Sequence, residues 1–168
     1  GNRDAAYRIL SHLANGNFAG TYDVIAEVVL AGSDISVFWQ DLTDAYRDMM
    51  VVKNYPDAKG YLDLTEDEYV ALKDLGAKFS MQKIYYHTSL LSAALSDMQR
   101  AGESKRSVAE IALTRMCEPK LMATAESLAV RLEQAEREIS RMKISISAGG
   151  ASAPIEEPIP VLREEDAP

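Results

Sequence analysis

The sequence is poor in cysteine, histidine and clustered glycine, and it has no long apolar run. Its single cysteine, Cys117, excludes an internal disulfide and a cysteine-built zinc site, and suits a reducing compartment. The two histidines, His12 and His87, stand far apart, and neither has a second histidine or a cysteine one helical turn away, so no zinc-ligand spacing is present. The glycines are scattered at helix ends rather than gathered into a phosphate-cradling loop. Lys59-Gly60 has the wrong order for a Walker A motif, and none is found elsewhere. Cationic residues are in the minority, 18 against 26 acids, for a net charge of −8. Such a surface repels phosphate backbones and argues against direct duplex binding. No apolar stretch approaches the roughly 20 residues of a membrane span, and no signal-peptide pattern opens the chain. The start at Gly1-Asn2-Arg3-Asp4, inside a helical pattern and without methionine, reads as part of a longer protein, with Gly1 a cloning remnant.

What is present is helix. Ala, Leu, Met, Glu, Lys and Arg dominate, and strand-type runs of Val, Ile and Thr are nearly absent. Ala6, Ile9, Leu10 and Leu13 recur at helical spacing over Asp4 to Ala14, stopped by Asn15-Gly16. A second helix over Phe18 to Ala31 presents Phe18, Tyr22, Ile25, Val28 and Val29. Ser33 or Asp34 caps a third, with a stripe through Ile35, Phe38, Leu42, Ala45, Met49 and Val52. Tyr55-Pro56 breaks it, and the stretch to Leu64 reads as a loop. Thr65-Glu66-Asp67-Glu68 is a capping box; its acids are explained by the helix dipole rather than by cation binding. The helix it opens fades near Gly76. Ser80 starts a strong helix to about Arg100, and Ser104 or Lys105 starts another, with Val108, Ile111, Ala112, Arg115 and Met116, stopped by Pro119.

From Leu121 the spacing changes. Leu121, Ala125, Leu128, Leu132, Ala135, Ile139, Met142 and Ile146 alternate steps of four and three, a heptad seam. Leu128, Leu132 and Ile139 are its candidate coiled-coil residues. Residues 147–168 carry four prolines and five acids among few apolar residues, the composition of a disordered acidic linker. The expected architecture is all-α: an irregular helical bundle over 1–120, an amphipathic heptad helix over 121–146 and a disordered tail over 147–168.

Chemistry has few places to reside. A thiol–imidazole pair of Cys117 with His87 is conceivable, but Cys117 ends an amphipathic helix, where a buried structural thiol is the ordinary role. Trp39 and the eight tyrosines would stack on single-stranded bases only beside basic clusters, and none flanks them. No catalytic, metal or cofactor-binding residue is therefore assigned. The helix over Ser80–Arg100 has two apolar stripes. One runs through Met81, Ile84, Thr88, Leu91, Leu95 and Met98, the other through Tyr86, Leu90, Ala93 and Ala94. A helix apolar on two sides is covered on two sides, by its own bundle or by a neighbouring subunit. On the second alternative Trp39, Tyr86, Leu90 and Ala94 are the candidate interface, and truncating Tyr86 would weaken self-association while leaving helicity intact.

Several segments then show a common pattern. The run from Ser80 through Ile84-Tyr85-Tyr86-His87 to Leu90-Leu91 is similar to the "LYY-x-x-LL" helix of the tau/gamma subunits of bacterial DNA polymerase III. Ser107 to Met116 resembles that family's "E-M-A-L-L-R-L" helix, with Ile111 in place of Met and Thr114 in place of Leu. Ala14-Asn15-Gly16-Asn17 with the helix at Val24–Ala31, and Gly32-Ser33-Asp34-Ile35 with Leu42, Arg47 and Met49, resemble two further segments in the same order, covering about residues 1–120. The resemblance implies the third domain of that subunit, a non-catalytic collar that follows two AAA+ domains. It implies as partners other tau/gamma copies, delta and delta-prime, in a cytoplasmic clamp loader. It also implies that ATP belongs to AAA+ domains outside this chain, so this part carries no cofactor. The alternative is an unrelated helical adaptor that dimerises through the heptad helix.

Overall fold

Helix ends in this chain are set by a few residues that satisfy orphaned backbone groups. In the computed structural model, which describes residues 2–101, 104–122 and 124–149, the first helix is α1, Asn2–Ala14. Asn17 caps α2, Phe18–Leu30, by accepting from the Gly20 amide. Asp34 caps α3, Ile35–Asn54, by accepting from the Ser36 amide at 2.8 Å. Of the two residues expected to cap α3, it is Asp34 whose side chain does so. The capping box forms as expected at the start of α5, Glu66–Gly76: Thr65 accepts from the Glu68 amide, and the Glu68 carboxylate accepts from the Thr65 amide. At the other end of α5, Lys53 of α3 donates to the Gly76 carbonyl at 2.8 Å. Ser80 accepts from the Lys83 amide ahead of α6, Met81–Ala101. α7 spans Lys105–Cys117 and is followed by a short 3-10 turn at Pro119–Leu121. The last helix, α8, is Ala125–Gly149.

Three sequence expectations change. The stretch between Tyr55 and Leu64 contains a one-turn helix, α4, Ala58–Tyr61. Leu121 lies in the 3-10 turn and so is not part of the α8 seam. α8 runs to Gly149, taking residues 147–149 of the expected acidic linker into the helix, and the rest of that linker lies outside the described residues.

The chain divides into two units, one through Leu132 and one from Glu133. In the first, α3 is the hub: it packs against α1, α2, α4, α5, α6 and α7, while α6 with α7 and α1 with α2 form the other main contacts. Its buried face carries Phe38, Trp39, Leu42, Tyr46 and Met49. The first turns of α8 belong to this unit, with Ser127 and Val130 buried. The boundary between the two units thus falls within α8, between Leu132 and Glu133. In the second unit the described residues are almost all exposed, and Glu133 pairs with Arg137 along the helix. Among the described residues no helix is long and apolar enough to cross a membrane.

Gly16 and Gly32 end the first two helices with φ of +65° and +72°, and open space surrounds the position of a Cβ at both. The constraint there is backbone strain, not packing. Gly32→Ala is therefore expected to cost about 1–2 kcal/mol, read as a lower urea midpoint with an unchanged m-value.

Candidate subunit interface

The residues that the sequence offers as an interface are drawn into the chain's own core. Trp39 is fully buried, and Tyr86, Leu90 and Ala94 are exposed by 1, 6 and 4%. The Trp39 indole on α3 donates to the Leu91 carbonyl on α6 at 3.0 Å. Tyr86, Leu90 and Ala94 of the second apolar stripe of α6 are thus covered from within, where α6 packs against α3 and α7, while Ala93 is exposed. For these four side chains to meet another subunit the bundle would have to open, so a contact surface must be sought elsewhere.

The Tyr86-His87 pair closes the end of α7. A helix leaves its last carbonyls without intrahelical partners. Tyr86 donates to the Arg115 carbonyl at 2.8 Å, and the His87 Nε2 lies 2.9 Å from the Met116 carbonyl. A carbonyl only accepts, so Nε2 carries the proton, and Nδ1 accepts from the Tyr46 hydroxyl at 2.7 Å. Both imidazole nitrogens are occupied, and the ring packs edge-on against Tyr46 and Phe79. Burial, with a smaller contribution from the Lys83 charge, lowers the His87 pKa to about 3, so the ring is neutral at physiological pH. This is a structural joint between α3, α6 and α7. Burial likewise pushes the Cys117 thiol up to about 11, so it stays protonated and is a poor nucleophile at neutral pH. Among the described residues no group of three or more His, Cys, Asp or Glu is placed to hold a metal ion.

The exposed apolar residues lie elsewhere. Tyr22 of α2, Ile111 of α7 and Leu121 line an open groove of about 720 Å³, with Ser107, Glu110, Thr114 and Arg115 as its polar walls. Ile111 is 52% and Leu121 58% exposed. The Tyr22 and Thr114 hydroxyls hydrogen-bond across the floor between α2 and α7, and Arg106 pairs with Glu110 on the rim at 2.8 Å. A second groove of about 510 Å³ is bounded by Met50, Asn54, Tyr55, Tyr61, Met81 and Tyr85, where Tyr55 and Tyr61 meet edge to face. The heptad candidates Leu128, Leu132 and Ile139 all lie on α8 and are 50, 61 and 51% exposed.

The sequence reading sets Ile111 beside Val108, Ala112, Arg115 and Met116 on this helix. The residues that α7 buries are Ala109, Ala112, Leu113 and Met116, a clean i, i+3, i+4, i+7 set. Ile111 falls off that set, and an isoleucine off the apolar stripe is the signal that marks it as exposed. Phe18 and Tyr22 are likewise rotated from the face that α2 buries through Thr21, Val24, Ile25 and Val28.

Residues 2–132 match the model of a family described as DNA polymerase III subunits gamma and tau domain III. The chain is 27% identical over 164 residues to the DNA polymerase III subunit gamma/tau of Mycobacterium tuberculosis, covering 89% of this chain and 28% of that protein. It is 22% identical over 156 residues to the DNA polymerase III subunit tau of Bacillus subtilis, covering 89% of this chain and 27% of the relative. The chain thus spans little more than a quarter of the length of these relatives. Among solved structures its fold is shared with the Bacillus subtilis DNA clamp loader delta protein, at a TM-score of 0.64 and 10% identity, over 70% of this chain and 37% of that one. With most of its length matched, and the helices of the bundle lying within the match, the chain belongs to the gamma and tau domain III family of DNA polymerase III subunits.

Proposed function

We propose that this chain is a non-catalytic collar domain that assembles clamp-loader subunits, joining further gamma/tau copies to delta and delta-prime. The observation that carries this reading is the pairing of two likenesses: the sequence falls in the gamma and tau domain III family, while the fold is shared with a clamp loader delta protein. Subunits of different sequence but one helical fold present equivalent edges, which suits side-by-side packing in a closed ring. The chemistry agrees. The buried polar groups Trp39, Tyr46, Tyr86 and His87 are consumed in joining helices, and an acidic surface is no handicap to a domain that need not touch DNA. On this reading the chain requires no cofactor, and ATP is handled by other parts of the subunit. Its place is the bacterial cytoplasm. The family match removes the unrelated origin from the competing adaptor reading.

The groove at Tyr22, Ile111 and Leu121 is the surface best suited to a neighbour: apolar at the centre, with a polar rim of Glu110 and Arg115. The test is co-purification of the chain with cognate delta and delta-prime. Ile111→Glu is expected to weaken that association by about 2 kcal/mol or more, while its exposure holds the change in folding stability within about 0.5 kcal/mol. A folded chain that binds neither subunit contradicts the collar reading; an Ile111→Glu variant that binds as well as the parent removes the groove from the contact.

A further inference from the structure

α8 continues beyond the family match, which ends at residue 132, and its exposed apolar residues have a regular order. Numbering the heptad from Ala125 as a, the a positions are Ala125, Leu132, Ile139 and Ile146, and the d positions are Leu128, Ala135 and Met142. Leu132, Ile139, Met142 and Ile146 are 61, 51, 64 and 61% exposed; a helix seam of this kind is stable in water only when covered. Ile144, at f, lies off the seam.

The flanking charges identify the cover. In a parallel two-stranded coiled coil each g residue meets the e residue of the next heptad on the other strand. Here Arg131 at g faces Glu136 at e, and Glu138 at g faces Lys143 at e. Both pairs have opposite charge at zero stagger, and symmetry forms each of them twice. The intrahelical pair Glu133–Arg137 lies at b and f, on the outer side, and does not compete. In the parallel, in-register arrangement like residues pair across the axis, and the β-branched isoleucines at two a positions suit a two-stranded pairing of this kind.

We infer that α8 is a homotypic association element: its seam pairs in parallel and in register with α8 of a second copy of this chain. The inference rests on α8 alone and is independent of the collar reading.

The test is the mass of the whole chain in solution, measured by sedimentation up to about 100 μM. A species of twice the 18.5 kDa chain mass is expected. Leu132→Glu with Ile139→Glu is expected to raise the dimer dissociation constant at least about 100-fold, with the thermal transition of the bundle unchanged, because both side chains are exposed. Arg131→Glu is expected to weaken the dimer roughly tenfold, and adding Glu136→Arg to restore it. In a Cys117→Ser background, Ala135→Cys is expected to cross-link between copies and Ser140→Cys, at b, is not. A monomer at every concentration, the result expected if a different protein covers the seam, overturns the inference. So does a dimer indifferent to the glutamate variants, or a dimer in which Ala135→Cys fails to cross-link.

Discussion

Trp39→Ala is expected to lower the unfolding free energy by about 3–5 kcal/mol. The indole is fully buried on the inner face of α3 and is among the largest side chains in the core. Its removal loses the transfer free energy of the ring and leaves a cavity between α3 and α6 that two packed helices cannot close. It also removes the bond to the Leu91 carbonyl, worth about 1 kcal/mol. For a domain whose whole stability is of the order of 5–15 kcal/mol, this is a large share. Trp39→Phe keeps most of the volume and is expected to cost less than half as much. Tyr85→Ala, on the neighbouring helix and 61% exposed, is expected to stay within about 0.5 kcal/mol. Urea unfolding followed by circular dichroism compares all three, since the only tryptophan is itself altered. The series separates two roles for Trp39. A core residue costs stability, whereas an interface residue would leave stability alone and cost association; a Trp39→Ala variant as stable as the parent would refute the core placement.

That distinction is the one the sequence could not make. Hydrophobic burial is non-directional, so the spacing of Tyr86, Leu90 and Ala94 shows that α6 is covered on a second side without showing by what. The cover is α7, and the bonds that fix it there run from Tyr86 and His87 to two carbonyls, groups with no mark in a sequence. Local features were legible. The Thr65–Glu68 box, the Asp34 cap and the stop at Tyr55-Pro56 depend on residues within four positions of one another, and each lies where the pattern places it. α4 was hidden because four residues are too few to show a helical stripe. Leu121 fitted the heptad spacing but sits in the turn begun by Pro119, which interrupts the helix that the spacing alone would extend. The exposed groove was partly legible: Ile111 breaks the stripe of its own helix, but that Tyr22 and Leu121 stand beside it follows only from the packing of α2 on α7.

Acid is expected to weaken the bundle through His87. In the folded chain the imidazole stays neutral down to about 3. In the unfolded chain it takes up a proton near pH 6.5. Between those values protons bind the unfolded state in preference, so stability is fully present above about 6.5 and is lost as pH falls toward 3, by about 1.4 kcal/mol per pH unit. By pH 5 the loss from this one group reaches about 2 kcal/mol. Protonation also disturbs the joint itself: an imidazolium has no lone pair to accept from Tyr46, whose hydroxyl would have to turn and accept instead, and its charge would sit near Lys83 among Tyr46, Phe79 and Tyr86. Other groups respond in the same range of conditions. Glu27, paired with Arg8, and Asp34, holding the Ser36 amide, have lowered pKa values and lose their contribution in acid, while Asp48, raised by burial, acts in the opposite sense. A difference measurement removes them. His87→Gln keeps an acceptor for Tyr46 and a donor for Met116 but does not titrate. Its unfolding free energy is expected to start lower at pH 7.5 and then to fall between pH 6.5 and 5 more shallowly than that of the parent, by about 1.4 kcal/mol per unit. Parallel curves for the two proteins would mean that His87 is not held neutral in the core, and the joint between α3, α6 and α7 would need another explanation.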